Sequence, residues 1–197
     1  MKKRIFSLFS LISAASLALG APHLFDFKDP KGVNNAVFKL DRVEGGANGI
    51  SGSVTFDPDK PSATKGKIVV AVASMHVPNP LMKEHMHGSQ WMDATKYPEI
   101  TFETKDLKNV KASGDDITAD AEGTLIIKGV SKVITAPVKL SYLKDKLGDR
   151  QPNLKGDLLV IRSTFNIKRA DFGINPAEKR LADSIELTLS IAGAAAR

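Results

Sequence analysis

Residues 158–168, LLVIRSTFNIK, carry the pattern that decides the fold. Apolar side chains at 159, 161, 165 and 167 alternate with polar ones at 162, 164, 166 and 168. Successive side chains of a β-strand point to opposite sides, so this period of two predicts a strand with one apolar and one polar face. Such a strand needs a partner surface that covers its apolar face.

The same alternation recurs along most of the chain, and Gly- and Pro-containing turns separate several of the segments. Strands are predicted at residues 35–42, 49–57, 66–77, 98–106, 115–129, 131–143, 158–168 and 184–191. Consecutive strands joined by short turns favour an all-β fold, namely an eight-stranded antiparallel barrel of the lipocalin type, which can enclose a small ligand. A β-sandwich is the alternative architecture.

Residues 79–92, NPLMKEHMHGSQWM, break this alternation. Pro80 suits the first turn of a helix, and apolar residues recur at spacings of three and four. Gly88 is a suitable residue to end the helix. We therefore expect a short helix near residues 80–88, placed between two strands where it can cap one mouth of the barrel.

The first twenty residues have the composition of a secretory signal peptide, with a basic start, an apolar stretch and small residues before Ala21. Export to the periplasm or the exterior is therefore expected, with residues 21–197 forming one soluble domain. Without Lys2, Lys3 and Arg4, 25 basic residues face 22 acidic ones. This near balance, with no basic stripe, argues against a nucleic-acid partner. The chain has no cysteine and hence no disulfide.

Histidines and methionines concentrate in residues 75–92. Thioether and imidazole groups together are typical ligands of copper(I), so a copper-handling protein is an alternative hypothesis. Methionine is also a flexible filler of irregular apolar cavities, and this interpretation is favoured. His85 held by Asp93 is the one candidate acid-base pair, but no nucleophile or catalytic motif accompanies it, so we expect no enzyme activity.

Three ordered stretches resemble the YceI-like family. They are HMHGSQWMDATKYPEITFET at 85–104, GTLIIKGVSKVITAPV at 123–138 and STFNIKRADFGI at 163–174. The resemblance extends over roughly residues 26–191. Trp91 and Met92 stand where the family commonly has two phenylalanines, and Asn34 and Asn35 stand where a histidine and a serine are common.

The resemblance implies an exported, extended lipocalin-like barrel that binds a polyisoprenoid or a similar long-chain amphiphile in an elongated tunnel. It implies no catalytic residue. We expect no metal and no cofactor, apart from the bound lipid. Asp171, Phe172 and Gly173 match a structural segment, an Asp-anchored turn. Transport, storage and stress protection remain open as roles, as does a homodimer.

The expected ligand-binding residues lie on apolar strand faces or in the capping segment. They are Phe38, Phe56, Val70, Val72, Met82, His85, Met86, Trp91, Met92, Phe102, Phe165, Ile167 and Leu187. His85 or Lys83 is expected to meet a polar head group, because both lie beside the apolar run.

Overall fold

The computed structural model describes residues 21–28 and 32–197, so the signal peptide predicted for residues 1–20 lies outside the described part. The described strands are β1 (His23–Asp26), β2 (Asn35–Leu40), β3 (Val43–Ala47), β4 (Ile50–Phe56), β5 (Lys65–Ala71), β6 (Met75–His76), β7 (Glu99–Ser113), β8 (Asp116–Ile127), β9 (Val130–Leu143), β10 (Gly156–Lys168) and β11 (Ser184–Ala196). The helices are α1 (Pro80–His87) and α2 (Leu147–Arg150), and 3-10 turns occupy Pro61–Ala63, Val72–Ser74 and Ala170–Phe172.

One antiparallel sheet contains all eleven of these strands and closes on itself. Around the barrel the order is β1, β4, β5, β7, β8, β9, β10 and β11, and pairing of Asp26 with Ala194 joins β11 back to β1. Residues 186–190 of β11 pair instead with β2. The predicted eight-stranded antiparallel barrel is confirmed, and the sandwich alternative is wrong.

Three of the eight strand positions are each filled by two shorter strands. The first position is filled by β1 and β2, which both pair with β11. The second is filled by β4 and β3, which pair with β1 and β2, respectively. The third position is filled by β5 and the two-residue β6, which pair with β4 and β3, respectively. The strand predicted over 66–77 is therefore wrong as a single element, because a 3-10 turn interrupts it at Val72–Ser74.

The two ends of the barrel differ in what covers them. We call the mouth the end that carries residues 77–98 and 169–183, and the base the end that carries residues 57–64 and 144–155. Buried apolar side chains form one cluster toward the base and a second toward the mouth. Residues of both clusters line the cavity described below.

Asn34 lies beside the break between β1 and β2. Its side chain is almost fully buried, and its Nδ2 donates to the carbonyl of Phe27 at 2.9 Å. Its Oδ1 accepts from the amide of Ala192 at 2.8 Å. A buried backbone group that loses its ladder partner needs another, and Asn34 supplies it where the strand is interrupted.

The predicted helix at 80–88 is confirmed as α1, and Gly88 ends it by donating its amide to the carbonyls of Glu84 and His85. Asn79 caps the N-terminus, with its side chain accepting from the amide of Met82. Within the described residues, neither helix has the length and apolar character that a membrane span requires.

The segment after β10 differs in detail from the expected Asp-anchored turn at Asp171. It forms a 3-10 turn, and Gly173 ends it in the left-handed region at φ 64°. The anchoring carboxylate belongs to Asp183, whose Oδ1 accepts from the amide of Ala170 at 2.8 Å. Phe172 is buried in the mouth cluster, so the segment contributes packing as well as a turn.

Candidate functional site: an apolar cavity in the barrel

The interior of the barrel contains a cavity of about 330 Å³. Its wall is almost entirely apolar and draws on strands from around the barrel and on α1. This volume falls within the range of roughly 300–1,000 Å³ that is usual for small-molecule sites. The cavity can therefore hold a ligand, and its wall favours a hydrocarbon.

Eleven of the thirteen expected ligand-binding residues line this cavity. They are Phe38, Val70, Met82, His85, Met86, Trp91, Met92, Phe102, Phe165, Ile167 and Leu187. Lys83, expected as an alternative head-group contact, is on the exposed surface of α1 and does not contribute to the lining. Contact of these residues with a ligand stays a prediction.

Phe56 does not line the cavity, although it belongs to the inward-facing set of β4. It is fully buried at the base, where its ring lies 6.3 Å from that of Phe25 and 5.6 Å from that of Tyr142. The ring centroids of Phe25 and Tyr142 are 6.3 Å apart in an edge-to-face arrangement. This aromatic cluster fills the base, so the cavity is closed at that end.

Val72 is the second expected residue that lies outside the cavity wall. Alternation through Val70 places it on the inner face, but β5 ends at Ala71. The amide of Val72 donates to the carbonyl of Pro98 at 2.8 Å, and the amide of Ala71 donates to the carbonyl of Gly49 at 2.8 Å. These long-range bonds turn the chain, so Val72 packs in the mouth cluster instead.

A network of polar groups closes the base around a buried carboxylate. Asp157 accepts from the Tyr142 hydroxyl at 3.0 Å and from the amide of Asp145 at 2.8 Å, and it pairs with Arg197. Burial and the hydrogen bond to Asp157 raise the pKa of Tyr142 to about 12. Burial alone would raise the pKa of Asp157, but the bonds from Asp145, Tyr142 and Arg197 outweigh it and hold that pKa below its usual value.

Several cavity residues were missed that alternation does indicate. Ile68, Ile100, Ile185 and Leu189 share strand faces with predicted residues and line the cavity, and Leu125 lines it from the apolar face of β8, where no residue was predicted. Others, including Met75, Val77 and Leu181, lie in or beside irregular segments at the mouth. Their place in the wall depends on tertiary folding, which no short-range pattern reports.

Two glycines allow phenylalanine rings to lie flat against the cavity wall. A Cβ on Gly45 would lie 2.2 Å from the Phe38 ring, and a Cβ on Gly123 would lie 2.5 Å from the Phe102 ring. Each ring thus takes the space that a side chain on the facing strand would fill. The hollow keeps its width because these large rings stay close to the backbone.

The large side chains of the wall are only partly buried, although they face the barrel interior. Phe38, Phe102, Phe165 and Leu187 all fall in this intermediate class. By contrast, Phe25 and Phe56 at the base are fully buried. The remaining exposure of the wall is exposure to the hollow, so this part of the core is not filled by the protein's own side chains.

Arg169 holds the loop that borders the mouth. It is 2% exposed, and its guanidinium donates to the carbonyls of Ala182, Ile174, Asn175, Glu178 and Leu181 at 2.7–3.2 Å. The same guanidinium lies 5.7 Å from the Trp91 ring centroid, within the distance of a cation–π contact. Trp91 is thereby fixed beside the cavity.

Two polar side chains of the wall, Ser163 and Thr64, have hydrogen-bond partners within the protein. Ser163 donates its hydroxyl to the carbonyl of Pro137 at 2.6 Å, and Thr64 donates to the carbonyl of Pro61 at 2.6 Å. Neither hydroxyl therefore depends on a ligand for its hydrogen bond. The interior offers a hydrocarbon an apolar surface with few competing polar sites.

His76 and His87 each contact a different backbone carbonyl. The Nε2 of His87 lies 3.1 Å from the carbonyl of Met75, and the Nδ1 of His76 lies 3.2 Å from the carbonyl of Ser74. Across residues 21–28 and 32–197, no group of three His, Asp or Glu residues is arranged to hold a metal ion. No hydrogen bond joins His85 to Asp93 in the same ranges. The copper alternative has no support from this geometry.

Comparison with known proteins places this architecture in context. The family model described as the YceI-like domain matches residues 28–193. A UPF0312 protein of Pseudomonas aeruginosa is 31% identical over 146 residues, covering 74% of this chain and 71% of that protein. The chain thus has sequence relatives over most of its length.

Solved structures share the fold. A Campylobacter jejuni YCEI protein matches with a TM-score of 0.64 and 26% identity, over 79% of this chain and 86% of that one. A polyisoprenoid binding domain from Saccharophagus degradans matches with a TM-score of 0.59 and 13% identity, over 87% of this chain and 94% of that one. At this lower identity the similarity concerns the fold alone.

Proposed function

Because the chain belongs to the YceI-like domain family, we propose that it binds a polyisoprenoid or similar long-chain amphiphile in the cavity of its barrel. The observation that carries the proposal is the unfilled apolar hollow of about 330 Å³. A distant structural neighbour is a polyisoprenoid binding domain, which agrees with this chemistry. The protein acts as a binder, and none of its residues is assigned a catalytic role.

The driving force is the transfer of hydrocarbon from water to the apolar wall. Each buried methylene contributes roughly 0.8 kcal/mol before ordering costs. Ligands of this size retain only about 0.3 kcal/mol per heavy atom. Binding is therefore strong enough to hold a lipid and weak enough to release it, which suits transport, storage or protection of the lipid.

We further propose that the protein works in the periplasm or outside the cell, after removal of residues 1–20. The basic and apolar composition of that segment supports the proposal. Periplasmic and cytoplasmic fractions of expressing cells, probed with an antibody and by N-terminal sequencing, test it. Full-length protein confined to the cytoplasm would contradict it.

Phe102→Asp tests the binding site directly. Phe102 lines the cavity, so a carboxylate there would have to be buried against hydrocarbon, and we expect the variant to lose its lipid. Native mass spectrometry of protein purified without detergent measures the loss as disappearance of the bound mass.

Glu103→Ala is the matched control, because Glu103 follows on the same strand and is exposed. It should retain the lipid in full. Equal loss from both variants, or wild-type protein that neither carries nor takes up an isoprenoid alcohol, would refute the proposal. Circular dichroism must show that both variants keep the β-sheet spectrum of the wild type.

A further inference from the structure

The barrel wall is not hydrogen-bonded along its whole height. Pairing between β9 and β10 runs from Leu143 and Leu158 to Val138 and Ser163, and it stops there. Toward the mouth, residues 130–137 of β9 continue to pair with β8, and residues 164–168 of β10 continue to pair with β11. Among the described strands, no ladder bridges these two stretches, and we call the gap between them the seam.

Pro137 marks the lower end of the seam. Proline has no backbone N–H, so it cannot donate a ladder hydrogen bond at this position. Its carbonyl accepts instead from the hydroxyl of Ser163, at 2.6 Å. The strand pairing thus gives way to a side-chain contact at the level where the two strands separate.

The seam lies between the cavity and a groove on the outer face of the sheet. Both flanks of the seam contribute to the cavity wall, through Ala136 and Phe165. The outer groove has a volume of about 520 Å³. Val138 and Ser163 line both the cavity and the groove, so the two spaces are separated there by a wall one residue thick.

The outer groove is basic. Lys111, Lys139 and Arg162 line it together with one carboxylate, that of Asp120. Asp120 accepts a hydrogen bond of 2.6 Å from the side chain of Asn109. Lys139 makes an ion pair of 2.7 Å with Asp116 at the groove's margin. The lining therefore has an excess of positive charge.

Two of these cations, Lys111 and Arg162, make no direct ion pair within residues 21–28 and 32–197. Hydrogen bonds from Lys139 and Ser141 chiefly lower the pKa of Asp116, and Arg162 adds a smaller electrostatic contribution. At the mouth, Arg180 is paired with Glu178 at 2.8 Å, whereas Lys83 makes no ion pair among the described residues. An anion that emerges from the cavity would thus find unpaired cations beside the seam.

We propose that the ligand is an amphiphile with an anionic head group, which is bound outside the barrel by Lys111, Lys139 and Arg162. Its apolar tail passes through the seam into the cavity. The guanidinium of Arg162 can bind a phosphate or carboxylate with two parallel hydrogen bonds, and the lysines add charge. This inference rests on the proposed function, because it requires the cavity to accept the tail.

Farnesyl phosphate and farnesol, which share one tail, separate the head-group site from the cavity. Trp91, the only tryptophan, lines the cavity, so quenching of its fluorescence reports tail binding. In lipid-free wild-type protein, the phosphate should bind about tenfold or more tightly than the alcohol. Lys111→Gln combined with Arg162→Gln should remove this advantage and leave farnesol binding within about twofold.

Lys83→Gln is the matched control, since it removes a cation at the mouth. It should leave both affinities unchanged. Retention of the phosphate advantage in the double variant, or its loss in the Lys83 variant, would overturn the head-group site while the cavity function stands. Failure of wild-type protein to bind farnesol would overturn the proposed function itself and this inference with it.

A disulfide across the seam gives an independent test, since the chain has no other cysteine. If the register of Val138 with Ser163 continued, Thr135 would face Asn166. A disulfide between cysteines at these positions would draw the strands together, because its Cα atoms lie about 4.4–6.8 Å apart. Oxidised T135C/N166C should lose farnesyl phosphate and recover it on reduction.

The control disulfide is N166C/E186C, which joins β10 to β11 where the strands are already paired. It should leave farnesyl phosphate bound in both redox states. Mass spectrometry reports whether each bond has formed. Unchanged phosphate binding after complete formation of the seam disulfide would refute the route through the seam.

Discussion

At the scale of single residues, Arg169 organises a loop, a role that neither its charge nor its position in the sequence indicates. A buried guanidinium is ordinarily matched by a carboxylate, but here five backbone carbonyls from residues 174–182 surround it. One side chain thus donates hydrogen bonds to the backbone carbonyls of the loop between Gly173 and Asp183, which contains no strand or helix. The sequence shows an arginine after a strand, and only the fold reveals that the loop wraps around it.

Arg169→Lys should destabilise the protein by about 2–4 kcal/mol, because an ammonium group cannot reproduce the planar fork of donors and leaves buried carbonyls without partners. Urea unfolding followed by far-ultraviolet circular dichroism measures the change in the free energy of unfolding.

Arg180→Lys serves as the comparison, because Arg180 has an exposed side chain and an ion pair only with Glu178. Its effect should stay within about 0.5 kcal/mol. Equal destabilisation by the two substitutions would show that the buried hydrogen bonds of Arg169 contribute nothing special.

At the scale of elements, alternation predicted three long strands closely and failed at the breaks, while β7 and β11 extend to Ser113 and Ala196, beyond the predicted ends at 106 and 191. β8, β9 and β10 begin and end within about two residues of the predicted bounds, because each follows one face from turn to turn. The break after Ala71 was invisible, since Val70 and Val72 keep the period of two across it. Long-range contacts accompany it. The amides of Ala71 and Val72 donate to the carbonyls of Gly49 and Pro98, and an added Cβ on Gly49 would be 2.7 Å from the Ser74 Cβ. A pattern within one segment cannot contain those contacts.

The same limit applies to the candidate site. Apolar faces identified Phe38, Phe102 and Leu187 as inward-facing, and these residues do line the cavity. The pattern could not separate the hollow part of the interior from the filled base that contains Phe56, because both have the same alternation. Only the packing of rings from several strands distinguishes a cavity wall from a solid core.

Gly123→Ala should narrow the cavity. The added methyl group would lie 2.5 Å from both the backbone carbonyl oxygen of Glu103 and the Phe102 ring, so the paired strands must shift and the ring must rotate into the hollow. We expect weaker binding of farnesol by about tenfold, measured by quenching of Trp91, with destabilisation of about 1–3 kcal/mol.

Gly148→Ala provides a control at which an added Cβ meets its nearest atom at 3.4 Å. This glycine lies in α2, near the base and away from the cavity wall. Its substitution should leave farnesol affinity unchanged. Unaltered affinity in the Gly123 variant as well would show that the Phe102 ring does not limit the width of the cavity.

At the scale of the whole molecule, the barrel is a container closed at one end. The aromatic cluster and the network around Asp157 fill the base, whereas the mouth is bordered by α1 and by the loop on Arg169. A cavity of about 150 Å³ holds one benzene ring. A volume of about 330 Å³ therefore has room for roughly twice as many carbon atoms, about twelve or thirteen. Longer chains must leave part of their length outside the hollow.

Affinity for isoprenoid alcohols should rise with tail length until the cavity is full. Geraniol, farnesol and geranylgeraniol have tails of about ten, fifteen and twenty carbons, and each buried methylene contributes until the cavity is full. We expect a clear gain from the first to the second and less than about a threefold gain from the second to the third. Titrations of Trp91 fluorescence measure the series. A steady gain of equal size through the longest alcohol would show that the base opens.

The three interrupted strand positions lie side by side, which gives the barrel wall unequal resistance to local unfolding. β2, β3 and β6 form the mouth half of this side, and β6 contributes only two residues to the ladder. Residues 48–49 and the 3-10 turn at Val72–Ser74, rather than continuous ladders, attach that half to β4 and β5. The amide protons of this half should consequently exchange with solvent through low-energy local openings, while those of β8 and β10 should exchange only on global unfolding. Such local opening would let a bulky ligand enter or leave while the rest of the barrel stays folded.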